Sequence, residues 1–151
     1  MKSEAAKPSE PSSLERFEAK YVSPKEGRTL IVGSQVTKDK EDRRQRYKNV
    51  VGIDQFDAPG VDLVLNLEDQ LPSGLGLFDH VECTSVLEHS KKPWLLAENI
   101  ERLMAPGATI FLSVPFIWKI HSYPDDLWRL TPNAVRSIFP AVNWLRLMLA
   151  N

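Results

Sequence analysis

Apolar residues in this chain gather in short unbroken runs, each closed by a turn former or a polar residue. Thr29-Leu30-Ile31-Val32, closed by Gly33, and Asn49-Val50-Val51-Gly52-Ile53, closed by Asp54, are the first two. Runs of this length, rich in β-branched residues, predict buried strands. Three more follow: Val61 to Leu65 after the turn former Pro59-Gly60, Phe78 to Thr84 after the Gly-rich Ser73-Gly74-Leu75-Gly76, and Ala108 to Val114, stopped by Pro115. Between the last two the period changes. Leu96, Ile100, Leu103 and Met104 recur at helical spacing, with Pro93 near the start and Pro106-Gly107 past the end, so Trp94 to Met104 predicts an amphipathic helix. A helix is also expected from Pro132 to Phe139 and a further strand from Asn143 to Leu149.

Strands that are apolar along their whole length and separated by helices or loops predict a parallel sheet covered on both faces. The expectation is an α/β fold: a parallel sheet of five or six strands flanked by helices in three layers, spanning 28–151. Residues 1–27, rich in Ser, Glu, Lys and Pro, read as a flexible N-terminal arm. Lys38 to Lys48 packs six basic and three acidic residues with no apolar stripe, and reads as a solvated helix or a mobile loop. In parallel sheets ligands sit beyond the carboxyl ends of the strands. That directs attention to Gly33-Ser34, Asp54-Gln55, Asn66-Leu67, Thr84-Ser85 and Pro115-Phe116.

Composition narrows the partners. Nineteen Lys and Arg against twenty Asp and Glu give a net charge of -1, so no global positive field points to nucleic acid. At 42% hydrophobic and 26% charged, the 151 residues suffice for one globular domain. A single cysteine, Cys83, excludes an internal disulfide framework and a Cys-rich zinc site, which suits a reducing, cytoplasmic setting. No window approaches the roughly 18 apolar residues of a membrane span, and Met1 to Glu18 is polar where an export signal would be apolar.

Asp54 follows the second strand, where a carboxylate can accept hydrogen bonds from both hydroxyls of a ribose; it equally suits a cap for the next turn. Gly33 after the first strand lets backbone approach a ligand closely. Further on, Phe78-Asp79-His80-Val81-Glu82-Cys83-Thr84-Ser85-Val86-Leu87-Glu88-His89 leads through Pro93-Trp94 and the amphipathic helix to Leu103-Met104-Ala105-Pro106-Gly107-Ala108 and the strand ending Val114-Pro115-Phe116. This succession resembles the second half of an S-adenosylmethionine-dependent methyltransferase domain of Rossmann-like fold, type 11 in character, and the likeness extends over about Thr29 to Phe139. The resemblance implies S-adenosyl-L-methionine as cofactor. Gly33 and Ser34 would lie beside its methionine part, Asp54 and the adjoining Gln55 at its ribose, Asn66 and Leu67 at its adenine, and Thr84 and Ser85 next to the transferable methyl. Two departures accompany the likeness. Ile31 and Gln35 stand where the superfamily usually has an acidic residue and a second glycine, and the chain reads as a domain shortened at its C-terminus.

His121, Pro124, Asp126, Trp128, Arg129, Thr131 and Pro132 match a segment found downstream in the similar small methyltransferase-like proteins. His121 suits a general base or substrate ligand, with Asp126 and Arg129 assisting; the alternative is a lid loop in which His121 pairs with Asp126 and Arg129 with Asp125 or Asp126. Glu88 and His89 lack a third ligand at suitable spacing, so no metal is expected. Cys83 reads as core. The implied activity is methyl transfer to a small-molecule or glycan-type acceptor. A binding or regulatory protein of the same fold is the alternative, and a nicotinamide-dependent oxidoreductase ranks behind both, since only one glycine of its G-x-G-x-x-G fingerprint is present.

Overall fold

The computed structural model describes residues 16, 17, 20, 22, 26–38, 41–121 and 124–144. Most of the arm expected over 1–27, and the strand expected at 143–149 beyond its first two residues, lie outside them. Five parallel strands form one sheet: β1 (Thr29–Val32), β2 (Val50–Asp54), β3 (Leu63–Val64), β4 (Phe78–Thr84) and β5 (Met104–Ser113). Their order is β3-β2-β1-β4-β5, so the direction of winding reverses between β1 and β4. Two helices follow β4 and β5: α1 (Pro93–Leu103) and α2 (Pro132–Ile138).

Because strand side chains alternate, the register sorts the sheet into two faces. One carries Leu30, Val32, Val51, Ile53, Val81, Cys83, Ile110 and Leu112, and packs on Leu96, Ala97, Ile100 and Leu103 of α1 and on Val135 and Phe139. Each aliphatic side chain fully buried there contributes about 1.5–3 kcal/mol. Pro93 opens α1 at a position where its missing N–H costs nothing. Asn99, buried among the apolar positions, donates from Nδ2 to the carbonyls of Leu67 and Asp69 at 2.9 Å each, tethering α1 to the loop after β3. Thr131 caps α2 by accepting from the Ala134 amide at 3.1 Å.

The opposite face is polar. It carries Thr29, His80, Glu82 and Thr84 around Ile31, and Glu82 is 1% exposed in the middle of the sheet. A buried carboxylate is tolerated only when paired and hydrogen-bonded. Arg43 meets it with Nη1 at 2.8 Å, Tyr47 donates its hydroxyl to the other oxygen at 2.8 Å, and Arg43 Nη2 donates to the Gly33 carbonyl at 2.7 Å. Burial, together with the neighbouring Glu82, pushes the Tyr47 hydroxyl above the usual phenol range, so it remains the donor. Lys38 to Lys48 is therefore more than a solvated face. Arg43–Arg46 forms a 3-10 turn, N-capped by Asp42, and its first arginine reaches into the sheet. Further along that face, Phe17 lies against Phe111 with ring centroids 5.9 Å apart.

β2 is offset by one residue from the expected Asn49 to Ile53, and two other strands differ further. β3 is shorter because the Asp62 side chain takes the Gly52 amide at 2.7 Å and Arg44 at 2.6 Å, so its side chain occupies what would be ladder positions. β5 starts at Met104, directly after α1. It advances from Met104 to Thr109 while β4 advances only from Phe78 to His80, an irregularity that contains Pro106 and Gly107, the latter at φ +80°. A proline has no N–H for the ladder, so the strand detours around it.

The Glu82 network sets a stability test. Arg43→Met leaves a buried carboxylate without its cation and is expected to cost about 3–5 kcal/mol. Tyr47→Phe, removing one hydrogen bond to a charged acceptor, is expected to cost roughly 1.5–3 kcal/mol. Urea unfolding checks both, and equal small losses in the two variants would show that Glu82 does not depend on its cation.

Candidate functional site

In a sheet of this order the crevice beyond the carboxyl ends of β1 and β4 is where ligands bind. β4 ends in a strained residue: Ser85, at φ +53°, is the one non-glycine with positive φ among the described residues. Its amide donates to the Ser113 carbonyl at 2.9 Å, which joins the ends of β4 and β5. Such strain persists only where surrounding structure imposes it, and it clusters at functional sites. The Thr84 hydroxyl just before it is buried without a hydrogen-bond partner.

Gly33 closes β1 at φ +69°, and a Cβ there would lie 2.4 Å from a Val86 methyl. Its amide and that of Ser34 both donate to the Ile53 carbonyl, at 2.9 and 3.1 Å, so these donors bind β1 to β2. The Ser34 hydroxyl is buried without a hydrogen-bond partner and packs over Gly52. Ile31 is fully buried within the sheet. Asp54, half-buried at the end of β2, accepts from the Phe56 amide at 3.2 Å, with Gln55 exposed beside it. A carboxylate has further acceptor sites after one such contact. Asn66 caps its own turn by accepting from the Glu68 amide at 3.0 Å. Leu67 is buried in the core, and its carbonyl is taken by Asn99.

The segment after β5 folds back over a second 3-10 turn, Leu87–His89, which follows β4. The amides of Leu127 and Trp128 donate to the Glu88 carbonyl at 2.8 and 3.3 Å, and the Trp128 indole donates to the Ser90 carbonyl at 2.7 Å. Within the segment, Asp126, with its side chain 2% exposed, is held by both arms of Arg129 at 2.5 and 2.8 Å and accepts from the His121 amide at 3.0 Å. The His121 ring nitrogen Nδ1 lies 3.2 Å from the same carboxylate. Arg129 and the His121 amide hold Asp126 well below the usual carboxylate range. The Arg129 fork is thus filled by Asp126, and the lid pairing is the one that forms. The exposed apolar residues Phe116, Ile117, Trp118 and Ile120 lead into this segment.

Glu88 and His89, read from spacing as lacking a third partner, gain a neighbour from this segment. Folding the segment back brings His121 to Glu88 and His89, one donor atom from each lying within 4.8 Å of the others. The His89 and His121 rings meet edge to face, 4.9 Å between centroids. The third residue of the group comes from a distant loop, which spacing along the chain does not reveal. Glu88 is 1% exposed; burial pushes its carboxyl above the ordinary range, and neither oxygen has a hydrogen-bond partner. A signal for Glu82 was present in the sequence: it is a carboxylate within the predicted buried strand Phe78 to Thr84, which demands a partner brought by the fold.

An open parallel sheet wound in the order 3-2-1-4-5 defines a doubly wound α/β fold. No family model matches the chain. In sequence it is similar to a ubiquinone biosynthesis O-methyltransferase of Pseudomonas aeruginosa (strain UCBPP-PA14), 35% identical over an 86-residue alignment that covers 46% of this chain and 36% of that protein. The chain thus matches little more than a third of that relative's length. In structure it is similar to a chain in the complex of the Haloferax volcanii Trm112 methyltransferase activator with a methyltransferase, at TM-score 0.60 and 16% identity, covering 85% of this chain and 66% of that one. It is also similar to the N-terminal domain of EvdMO1, solved in the presence of S-adenosylhomocysteine (SAH) and D-fucose, at TM-score 0.53 and 20% identity, covering 83% and 70%. The chain has the Rossmann-like fold of the S-adenosylmethionine-dependent methyltransferases.

Two outcomes follow from this geometry. Ser85→Gly, which relieves the positive φ, is expected to be at least as stable as the parent, and Ser85→Val less stable by about 1–3 kcal/mol, read from thermal unfolding. Arg129→Ala is expected to release the lid, seen as faster hydrogen exchange at the Leu127 and Trp128 amides with the β1 and β4 amides unchanged. Because the folded-state value of Asp126 is depressed, its anchoring is complete above the ordinary aspartate value of 3.8 and is lost only as pH falls below it, so the same two amides should keep their protection down to that point.

Proposed function

We propose that the chain is the catalytic domain of an S-adenosylmethionine-dependent methyltransferase acting on a small-molecule or glycan-type acceptor. One observation carries the reading: the chemistry-bearing residues converge at the switch point of a methyltransferase fold, where Ser85 and Thr84 end β4 and the His121 lid packs on the turn just beyond. Asp54 would hold the ribose hydroxyls and Asn66 the adenine edge. Gly33 and Leu67 would contribute shape, since one is filled against by Val86 and the other is core. The cofactor's sulfonium supplies an already activated methyl group. The chain then has to align the acceptor, exclude water and, for an oxygen or nitrogen acceptor, accept a proton. His121, 30% exposed and 3.2 Å from Asp126, would orient the acceptor or take that proton, a reading supported by Arg129 holding Asp126 beside it. Cys83 has no part in this chemistry: it is fully buried and its thiol is pushed up to about 12 by burial. That inert thiol suits a reducing, cytoplasmic setting. Among the described residues no helix is long and apolar enough to cross a membrane.

A second reading has its own observation. Ile31, fully buried where the superfamily usually has an acidic residue, offers no carboxylate to the cofactor's amino group, which favours a binding protein of the same fold without turnover.

Calorimetry with S-adenosylhomocysteine separates the two readings from any unrelated one: binding and a raised Tm are expected. Asp54→Ala is expected to weaken that binding by about 1.5–3 kcal/mol, roughly 10- to 150-fold. No binding at millimolar ligand would end the proposal, and an unchanged Kd in the variant would leave Asp54 as the cap of the Phe56 turn alone. Product S-adenosylhomocysteine released on a panel of hydroxylated acceptors distinguishes enzyme from binding protein.

A further inference from the structure

The convergence of Glu88, His89 and His121 carries more than the methyl-transfer reading uses. The Glu88 carboxylate is 1% exposed, both of its oxygens lack a hydrogen-bond partner, and two imidazoles stand against it. A carboxylate withdrawn from water this completely needs a cation or donors to hold it. His89 is prepared to be a ligand: its Nδ1 meets the Asp125 carbonyl at 2.5 Å and so carries the proton, which leaves the Nε2 lone pair open, 3.7 Å from Glu88 Oε1. A ring N–H donated to a backbone carbonyl is the outer contact that metal-ligating histidines make. His121 is held differently: its backbone amide donates to the Asp126 carboxylate that Arg129 fixes, and its ring Nδ1, 3.2 Å from that carboxylate, is buried without a hydrogen-bond partner.

We propose that Glu88, His89 and His121 form a binding site for a divalent transition-metal ion. Two nitrogen donors and one oxygen donor suit zinc, cobalt or nickel, whereas magnesium and calcium require shells of oxygen. Donor atoms around a tetrahedral ion at about 2.1 Å lie roughly 3.4 Å apart, so the cluster closes by about an ångström on binding. A lid residue is one of the three ligands, so the ion cross-links the turn after β4 to the segment after β5. Three protein ligands leave a fourth position for water or for an oxygen of the acceptor. That last use rests on the proposed methyl transfer; the site itself does not.

The test uses the full chain, stripped with a chelator and titrated with Zn²⁺ by calorimetry and with Co²⁺ by visible absorption. One ion per chain is expected, with micromolar or tighter affinity and the intense d–d bands of a low-coordinate cobalt site. His121→Ala and His89→Ala are each expected to weaken binding roughly 100-fold or more, and His80→Ala, whose ring contacts Thr109 and the Glu26 carbonyl far from the cluster, is expected to leave it unchanged. Far-ultraviolet circular dichroism of metal-free samples confirms that the variants compared are folded; His121, the most exposed of the three, is the variant on which the comparison turns. Absence of binding in the parent, or equal affinity in the folded His121→Ala and His89→Ala variants, overturns the site and leaves the three residues as a charged packing contact between the turn and the segment after β5. S-adenosylhomocysteine binding measured on the same metal-free protein tells the two proposals apart: retained there without metal affinity, it removes the metal site and keeps the methyltransferase reading, and the converse result does the reverse.

Discussion

One buried carboxylate organises the polar side of this molecule. Glu82 stands in a central strand where burial of an ion is tolerated only with full compensation, and the compensation comes from the connection between β1 and β2. Arg43 serves two elements at once, the Glu82 carboxylate on β4 and the Gly33 carbonyl at the end of β1. An arginine fork can do this because its donors are planar and fixed in direction. The consequence is that a connection with only a single 3-10 turn among its described residues can cover a sheet face that would otherwise need the apolar side of a helix. It also fixes the end of β1, beside which β2 and β4 must end for the crevice to exist.

Much of this architecture is legible in the sequence, and the reason is local. β1 and β4 match their predicted limits because each is a continuous apolar run bounded by turn residues, and α1 is shifted by one residue because Pro93 is the natural first helical position. β3 and β5 depart where long-range groups intervene: the Asp62 side chain displaces ladder contacts, and Pro106 forces β5 to detour against β4. The first effect has no local signature, whereas Pro106-Gly107 stands in plain view but reads as the stop of the preceding helix and not as part of the strand.

The site divides in the same way. Asp54, Ser85 and the His121 to Arg129 segment stand at strand ends, which the run pattern locates directly. Leu67 does not separate by pattern, because an apolar residue after a short strand reads equally as a ligand platform or as core, and Asn99 from a distant helix decides for core. The meeting of His89 with His121 was invisible, since it depends on the lid returning to donate its backbone to Glu88. On the polar face the available clue was Glu82, a carboxylate inside a predicted buried strand, which some remote residue must compensate.

Gly33 and Val86 illustrate how tightly the two halves of the chain are joined. A valine methyl occupies the space that any side chain at position 33 would claim, so the residue after β1 is packed by one just past the end of the neighbouring β4. Position 33 therefore admits glycine on two independent grounds, since its positive φ strains any L side chain and Val86 fills the space such a side chain would need. Since Val86 immediately precedes the Leu87–His89 turn, the packing that excludes a side chain at position 33 also seats the residue from which Glu88 and His89 depart.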